Sequence, residues 1–279
     1  MLALITASTD PERARACIRS WGGSPFVAIV NGRAWTPPAK SEGEVDGELV
    51  RHWILVPEYL GSVAAFRMGV DYALEHLPEA DVLACIHDDV EILDPDWVRR
   101  VEQHFARHPA CGLLGFGGAL GLGALDMYQK DYDPMCLARF NFRSNLVDAE
   151  VHGIRSLLAE KVACLDGFSQ IGRRAFWEGH SLNTRIAHPE PFRPWTVLEQ
   201  LGIKHHLYDG LLGALAARHG WETWYLPIRC RHLGGQTAVG NAGYGDWAKT
   251  QSPGGDHDFW EQAHKIGYEH FRDILPLRV

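Results

Sequence analysis

Pairable cysteine spacing is missing from this chain. Its six cysteines, at positions 17, 85, 111, 136, 164 and 230, form no C-x-x-C pair, which argues against a zinc ribbon or a dithiol redox motif. Cys85, Cys111 and Cys164 lie inside apolar runs, where a thiol serves as a small hydrophobe, and a reducing cytoplasm is the expected location. Long hydrophobic runs are missing too. No stretch approaches the length of a membrane span, and MLALITASTDPER lacks the basic start of a signal peptide. A basic excess is also absent: 27 Lys and Arg stand against 35 Asp and Glu, for a formal net charge of −8. Covering a nucleic-acid backbone needs a basic face, so no nucleic-acid partner is expected. No internal repeat appears. The first apolar run leads into TASTDPERAR rather than into a glycine-rich phosphate loop.

What is present is an ordinary enzyme-like composition, 46% hydrophobic and 22% charged over 279 residues, enough for one large α/β domain or two small ones. Apolar runs at 2–7, 26–31, 52–57, 82–87 and 111–116 read as strands. Helical periodicity lies between them at 11–21, 61–77 and 95–108. Strands alternating with helices predict a mostly parallel, Rossmann-like sheet, and ligands of such sheets collect beyond the carboxyl ends of the strands. Residues 33–48 read as a loop, and Gly117, Gly118, Gly121 and Gly123 as punctuating another. The stretch 128–160 gives no clear pattern. Residues 161–179 predict strand, turn at Asp166-Gly167, short strand and helix. A helix over 205–221 and a strand over 222–232 follow. Residues 234–255 are expected to be mobile, as a lid or a passive linker, before a last amphipathic helix over 256–274.

Three constellations carry chemistry. The strand VLACIH runs into Asp88 and Asp89, two adjacent carboxylates beside His87. Like charges that close raise each other's pKa unless a cation or a donor intervenes. The acids either cap a turn or face a hard cation such as Mg2+ or Mn2+. In HHLYDG (205–210), Asp209 opens a helix, as a cap or as a general base. In RCRHLGG (229–235), His232 closes a strand before glycines, as a packed histidine or a metal ligand.

Taken in order, HDDV (87–90), DGFSQIGRR (166–174), YDGLLGALAARHGW (208–221) and RHLGG (231–235) resemble the motifs of GT-A fold glycosyltransferases, family 2 and its relatives most of all. LGSVAAFRMGVDYAL (60–74) is similar to that family's glycine- and asparagine-bearing helix. The resemblance spans roughly 1–235 and implies a Rossmann-like GT-A fold, with a nucleotide-binding half (1–116) and an acceptor and catalytic half (117–235). The segment 236–279 would add the lid loop and C-terminal helix. It further implies a nucleotide-sugar donor, UDP- or GDP-linked, an acceptor hydroxyl of unstated kind, and Mn2+ or Mg2+ as cofactor. Asp89 matches the final aspartate of the family's D-x-D motif and His232 its late histidine, the two expected metal ligands. Asp209 matches the base of inverting members. Thr6, Ala7, Ser8, Thr9, Asn31, Arg67, His87, Asp88, Asp166 and Gly167 fall where the donor is expected. His87 stands where the family carries Asp or Asn, and is read as a ribose or phosphate contact. Aromatic residues over 186–224 (Phe192, Trp195, Tyr208, Trp221 and Trp224) are candidates for stacking on sugar or for the core. The rival readings are a nucleotidyltransferase that makes nucleotide sugars and a non-catalytic nucleotide- or sugar-binding domain.

Overall fold

The computed structural model describes residues 1–32, 51–125, 133–147, 153–183, 192–233 and 242–279; the loop expected over 33–48 lies outside them. The chain opens with β1 (Leu2–Ser8), α1 (Pro11–Ser20), β2 (Phe26–Asn31), β3 (Arg51–Val56), α2 (Ser62–His76) and β4 (Val82–Ile86). These four strands lie parallel in the order β3-β2-β1-β4. Pro11 opens α1 after Asp10, whose side chain accepts from the Arg13 amide. The period-two alternation of the strands sorts the core. Ala3, Ile5, Val27, Ile29, Leu83 and Cys85 pack with Val63, Phe66 and Val70 of α2 on one face. Leu2, Leu4, Ala28, Ala84 and Ile86 pack on the other face with Cys17 and Trp21 of α1, as expected of strands covered on both sides.

Next come β5 (Val90–Ile92), α3 (Trp97–Arg107), β6 (Cys111–Gly115), β7 (Gly117–Leu125), β8 (Asp133–Ser144), β9 (Ile154–Arg155), β10 (Glu160–Val162), β11 (Cys164–Leu165) and β12 (Ser169–Arg173). The last group is α4 (Arg174–Trp177), α5 (Pro194–Gln200), α6 (Tyr208–Arg218), β13 (Glu222–Tyr225), β14 (Cys230–His232), α7 (Ala242–Gln251), α8 (Asp256–Phe271) and β15 (Leu277–Arg278). Helices therefore flank a large central α/β sheet, of order β10-β13-β6-β12-β4-β1-β2-β3. Strand β6 does not lie beside β4 as simple alternation suggests. The late strand β12 inserts between them, antiparallel to both. A second sheet, β11-β7-β8-β9 with β15 against β7, stands beside the first.

Several expectations change here. The glycines at 117–123 belong to strand β7, not to a loop. A Cβ at Gly121 would meet the Phe140 ring on β8 at 1.8 Å, so close packing explains that glycine better than a turn. The strand expected over 222–232 breaks at Leu226-Pro227-Ile228 into β13 and β14, because proline cannot donate to a ladder. The mobile segment expected over 234–255 holds a helix at Ala242–Gln251; residues 234–241 lie outside the described residues. Among the described residues, no helix is long and apolar enough to cross a membrane.

Candidate functional site

Four parallel strands bring their carboxyl ends to one cavity of about 520 Å3, and each contributes to its wall. Ala7, Ser8 and Thr9 come from the end of β1, Asn31 from β2, Tyr59 from the turn after β3, and His87, Asp88 and Asp89 from the end of β4. The antiparallel course of β12 supplies the next wall. Because Ser169 pairs with Ile86, the preceding Asp166-Gly167 turn must sit beyond the end of β4. There the His87 amide donates to the Phe168 carbonyl at 3.0 Å.

The two adjacent acids part ways. Asp88, 3% exposed, accepts from the Ser8 hydroxyl and from Arg13 Nη2 at 2.6 Å, tying the end of β1 and the helix α1 to β4. Burial nevertheless pushes its carboxyl up to about 6, against the pull of Arg13. Asp89 turns the other way, toward His232. The register of β14 on β5 pairs His232 with Val90, and the Leu233 amide donates to the Asp89 carbonyl at 3.0 Å. That register brings His232 Nε2 within 3.3 Å of Asp89 Oδ1. Burial opposes charge on both partners, yet their mutual attraction wins: Asp89 is held below and His232 above its ordinary pKa.

His87 completes a trio. One potential ligand atom from each of His87, Asp89 and His232 lies within 4.8 Å of the others, and the buried Asp89 Oδ1 makes no well-aligned hydrogen bond, its His232 contact being an ion pair at 3.3 Å. A buried carboxylate oxygen in that state loses solvation that a cation would restore. The donor set therefore fits a divalent ion. Two imidazoles and one carboxylate are softer than the oxygen-only set that Mg2+ prefers, so among the two expected ions it suits Mn2+ better. Burial pushes His87 down to about 4, keeping its ring neutral as a ligand requires. Its Nε2 lies 2.6 Å from the Tyr208 hydroxyl, which also reaches the Gly167 carbonyl at 3.3 Å. If His87 Nε2–H donates to Tyr208 and Tyr208 to Gly167, the Nδ1 lone pair of His87 remains for a cation.

Helix α6 starts after Leu207, whose φ of 60° turns the chain sharply. This places Tyr208 and Asp209 in the first turn, both facing the cavity. Asp209 Oδ1 accepts from the Gly210 amide at 2.8 Å and Oδ2 binds Arg139 of β8. Burial raises the Asp209 pKa while Arg139 pulls it back. Arg139 had no signal in the sequence, because it lies in the stretch without a clear pattern.

The cavity thus gathers Ala7, Ser8, Thr9, Asn31, His87, Asp88, Asp89, Asp166, Gly167, Asp209 and His232. Two of the expected donor residues lie elsewhere. Thr6 is buried within β1 at 1% exposure. Arg67 pairs with Asp71 at 2.9 Å and Glu199 at 2.8 Å along the α2–α5 side, so local acids hold its charge. Of the candidate stacking aromatics, Phe192, Trp195 and Trp221 are buried in the core, and Trp224 packs against His104 and His108. Tyr208 alone among them reaches the cavity. Tyr59, Trp260 and His264 line it instead; none of them lies within a motif, and they gave no sign of it.

The mixed α/β architecture, a large central sheet with helices on both faces and a cavity at the strand ends, is similar to that of GT-A fold glycosyltransferase structures. Among solved structures, GalNAc-T7 with UDP, GalNAc and Mn2+ is similar over 99% of this chain and 57% of that one, at TM-score 0.54 and 12% identity. TarS 1-349 of S. aureus (TM-score 0.45, 9% identity, 81% of this chain and 60% of that one) is also similar. So is A197 from STIV (TM-score 0.41, 12% identity, 84% and 86%). The fold assignment rests on the first of these, and the chain spans about three-fifths of the length of the GalNAc-T7 and TarS chains. No family model matches the sequence, and no curated protein matches it.

Proposed function

We propose that the chain is a metal-dependent glycosyltransferase moving a sugar from a UDP- or GDP-linked donor to an acceptor hydroxyl, with inversion. The observation that carries this reading is the convergence of His87, Asp89 and His232, with the buried Asp89 Oδ1 facing His232 at 3.3 Å, at the strand ends of a GT-A-type sheet. The presence of UDP and Mn2+ in the GalNAc-T7 structure supports the same donor class and ion. His87, Asp89 and His232 would hold the ion, which when bound would supply positive charge to a departing diphosphate. Ser8, Thr9 and Asn31 rim the nucleoside end, with Asp88 kept rigid by Ser8 and Arg13. Asp209 takes the acceptor proton at its carboxylate, oriented by Arg139. Its burial raises basicity toward the working range of a general base.

Calorimetry with UDP and GDP, each with and without Mn2+, tests the reading. One of the two diphosphates binds only with Mn2+. Asp89→Ala removes that binding, whereas Asp209→Asn keeps it and stops transfer from the corresponding nucleotide sugar. Unchanged affinity in Asp89→Ala refutes the metal assignment, and retained turnover in Asp209→Asn removes the base.

A further inference from the structure

One wall of the cavity differs in character. It is built by α8 and β8, which supply Trp260, His264, Leu137 and Phe142 beside Arg139. Trp260 is 40% exposed although it is one of the largest apolar side chains. Its ring is braced from behind by His264, with centroids 4.1 Å apart. Phe142 lies under the Arg139 guanidinium, 5.0 Å from its carbon to the ring centroid, and Arg139 binds the carboxylate of Asp209. An exposed indole in contact with His264 and a second aromatic ring therefore line the same cavity as Asp209. Charged and imidazole groups alternate with them.

We infer that this wall is an acceptor subsite for a saccharide, with Trp260 as the platform on which the acceptor ring stacks. The inference rests on the proposed transferase reading and names its acceptor class. A pyranose has an apolar C–H face and a rim of hydroxyls, so it needs an aromatic surface edged by hydrogen-bonding groups. Trp260 provides the surface and an indole N–H. Arg139, Asp209 and His206 provide polar edges on the same cavity. A lipid chain would need a continuous apolar groove, which the histidines at 206 and 264 and the Arg139–Asp209 pair interrupt.

The test uses the full chain with Mn2+ and whichever of UDP and GDP binds. Saturation-transfer NMR follows methyl β-glucoside, methyl β-galactoside and methyl β-N-acetylglucosaminide, with a serine- and threonine-containing hexapeptide and farnesyl phosphate as competing classes. At least one glycoside should show transfer from the protein. Trp260→Ala should weaken that glycoside about tenfold, in line with the loss of one aromatic contact. Trp260→Phe should restore most of it, and both variants should bind nucleotide and Mn2+ like the parent. Glycoside binding unaltered in Trp260→Ala overturns the inference. So does a parent protein that binds nucleotide and Mn2+ but takes only the peptide or the farnesyl phosphate. Absence of nucleotide–Mn2+ binding in the parent is a different failure: it removes the transferase reading, and the subsite with it.

Discussion

Tyr208 shows how much a single hydroxyl can decide. Its oxygen links the Gly167 carbonyl to His87 Nε2, and such outer contacts fix which nitrogen of a ligating histidine carries the proton. Tyr208→Phe leaves the ring packed at its buried position and removes only the link. Mn2+ affinity, titrated by calorimetry without nucleotide, should fall roughly tenfold to a hundredfold, while the urea midpoint moves little. Unaltered Mn2+ affinity would mean that His87 is oriented by its backbone alone. Asp88 illustrates the opposite case. Its place beside Asp89 suggests shared chemistry, yet Ser8 and Arg13 hold it, and the candidate metal-binding group of His87, Asp89 and His232 does not include it.

At the scale of elements, helix α6 is seated by Gly213. A Cβ there would lie 2.5 Å from the Ala163 carbonyl oxygen and 2.8 Å from the Cys164 Cα, both backbone atoms of the β10–β11 segment. Two effects of Gly213→Ala oppose each other. Helix propensity favours alanine by about 1 kcal/mol, whereas overpacking against backbone that cannot swing aside costs about 1–3 kcal/mol. The clash should win, with a net loss of about 1 kcal/mol in urea unfolding, and a gain in stability would show that α6 can lift off. Since Tyr208 and Asp209 ride on the same helix, donor-independent Mn2+ affinity should weaken with it. The sequence conveyed this helix well, from its apolar run and Gly220, but not its seat. Likewise the alternation of β1 to β4 was legible because buried parallel strands read as apolar runs. The insertion of β12 between β4 and β6 was not, because a pairing partner 50 or more residues away leaves no local periodicity. The same reason explains the site: His87, Asp89, Asp209 and His232 stood out as polar residues at the ends of apolar elements, Asp209 at a helix start and the others at or just past strand ends, while Arg139 and Trp260 reach the cavity only through tertiary packing.

For the whole molecule, buried neutral histidines set the response to acid. Burial pushes His87 and His104 down to about 4 and His205 to about 3. These are depressed values for a base, so each group is neutral in the fold but takes a proton in the unfolded chain below its ordinary pKa of 6.5. The unfolded state then binds more protons, and stability falls as pH drops from about 6.5 toward 4. Asp88 works in the other direction. Its carboxyl, raised to about 6 from 3.8, is protonated in the fold before it is in the unfolded chain, which adds stability as pH falls through the same window. His232, raised through Asp89, adds stability that is present at low pH and lost as pH rises through its folded value. Asp209, raised by burial, acts with Asp88 and His232, whereas His52 and His270 are depressed like the other three histidines, and Asp89, Glu222 and Asp256 are depressed carboxylates that also lose stability in acid. The groups that lose outnumber those that gain, so acidification between pH 6 and 4 brings a net loss, at a limiting slope of about 1.4 kcal/mol per pH unit per uncompensated proton. His104 offers the cleanest separation, because it lies on α3 among His108, Arg107, Arg173 and Glu222, far from the metal trio in the fold. Its Nε2 is buried without a hydrogen-bond partner. His104→Gln cannot take up the proton, so the slope of unfolding free energy against pH, measured by urea titration of the metal-free protein between pH 6.5 and 4.5, should flatten by about 1 kcal/mol per pH unit. A slope equal to the parent's would show that His104 is already protonated in the fold and that the acid response comes from other groups.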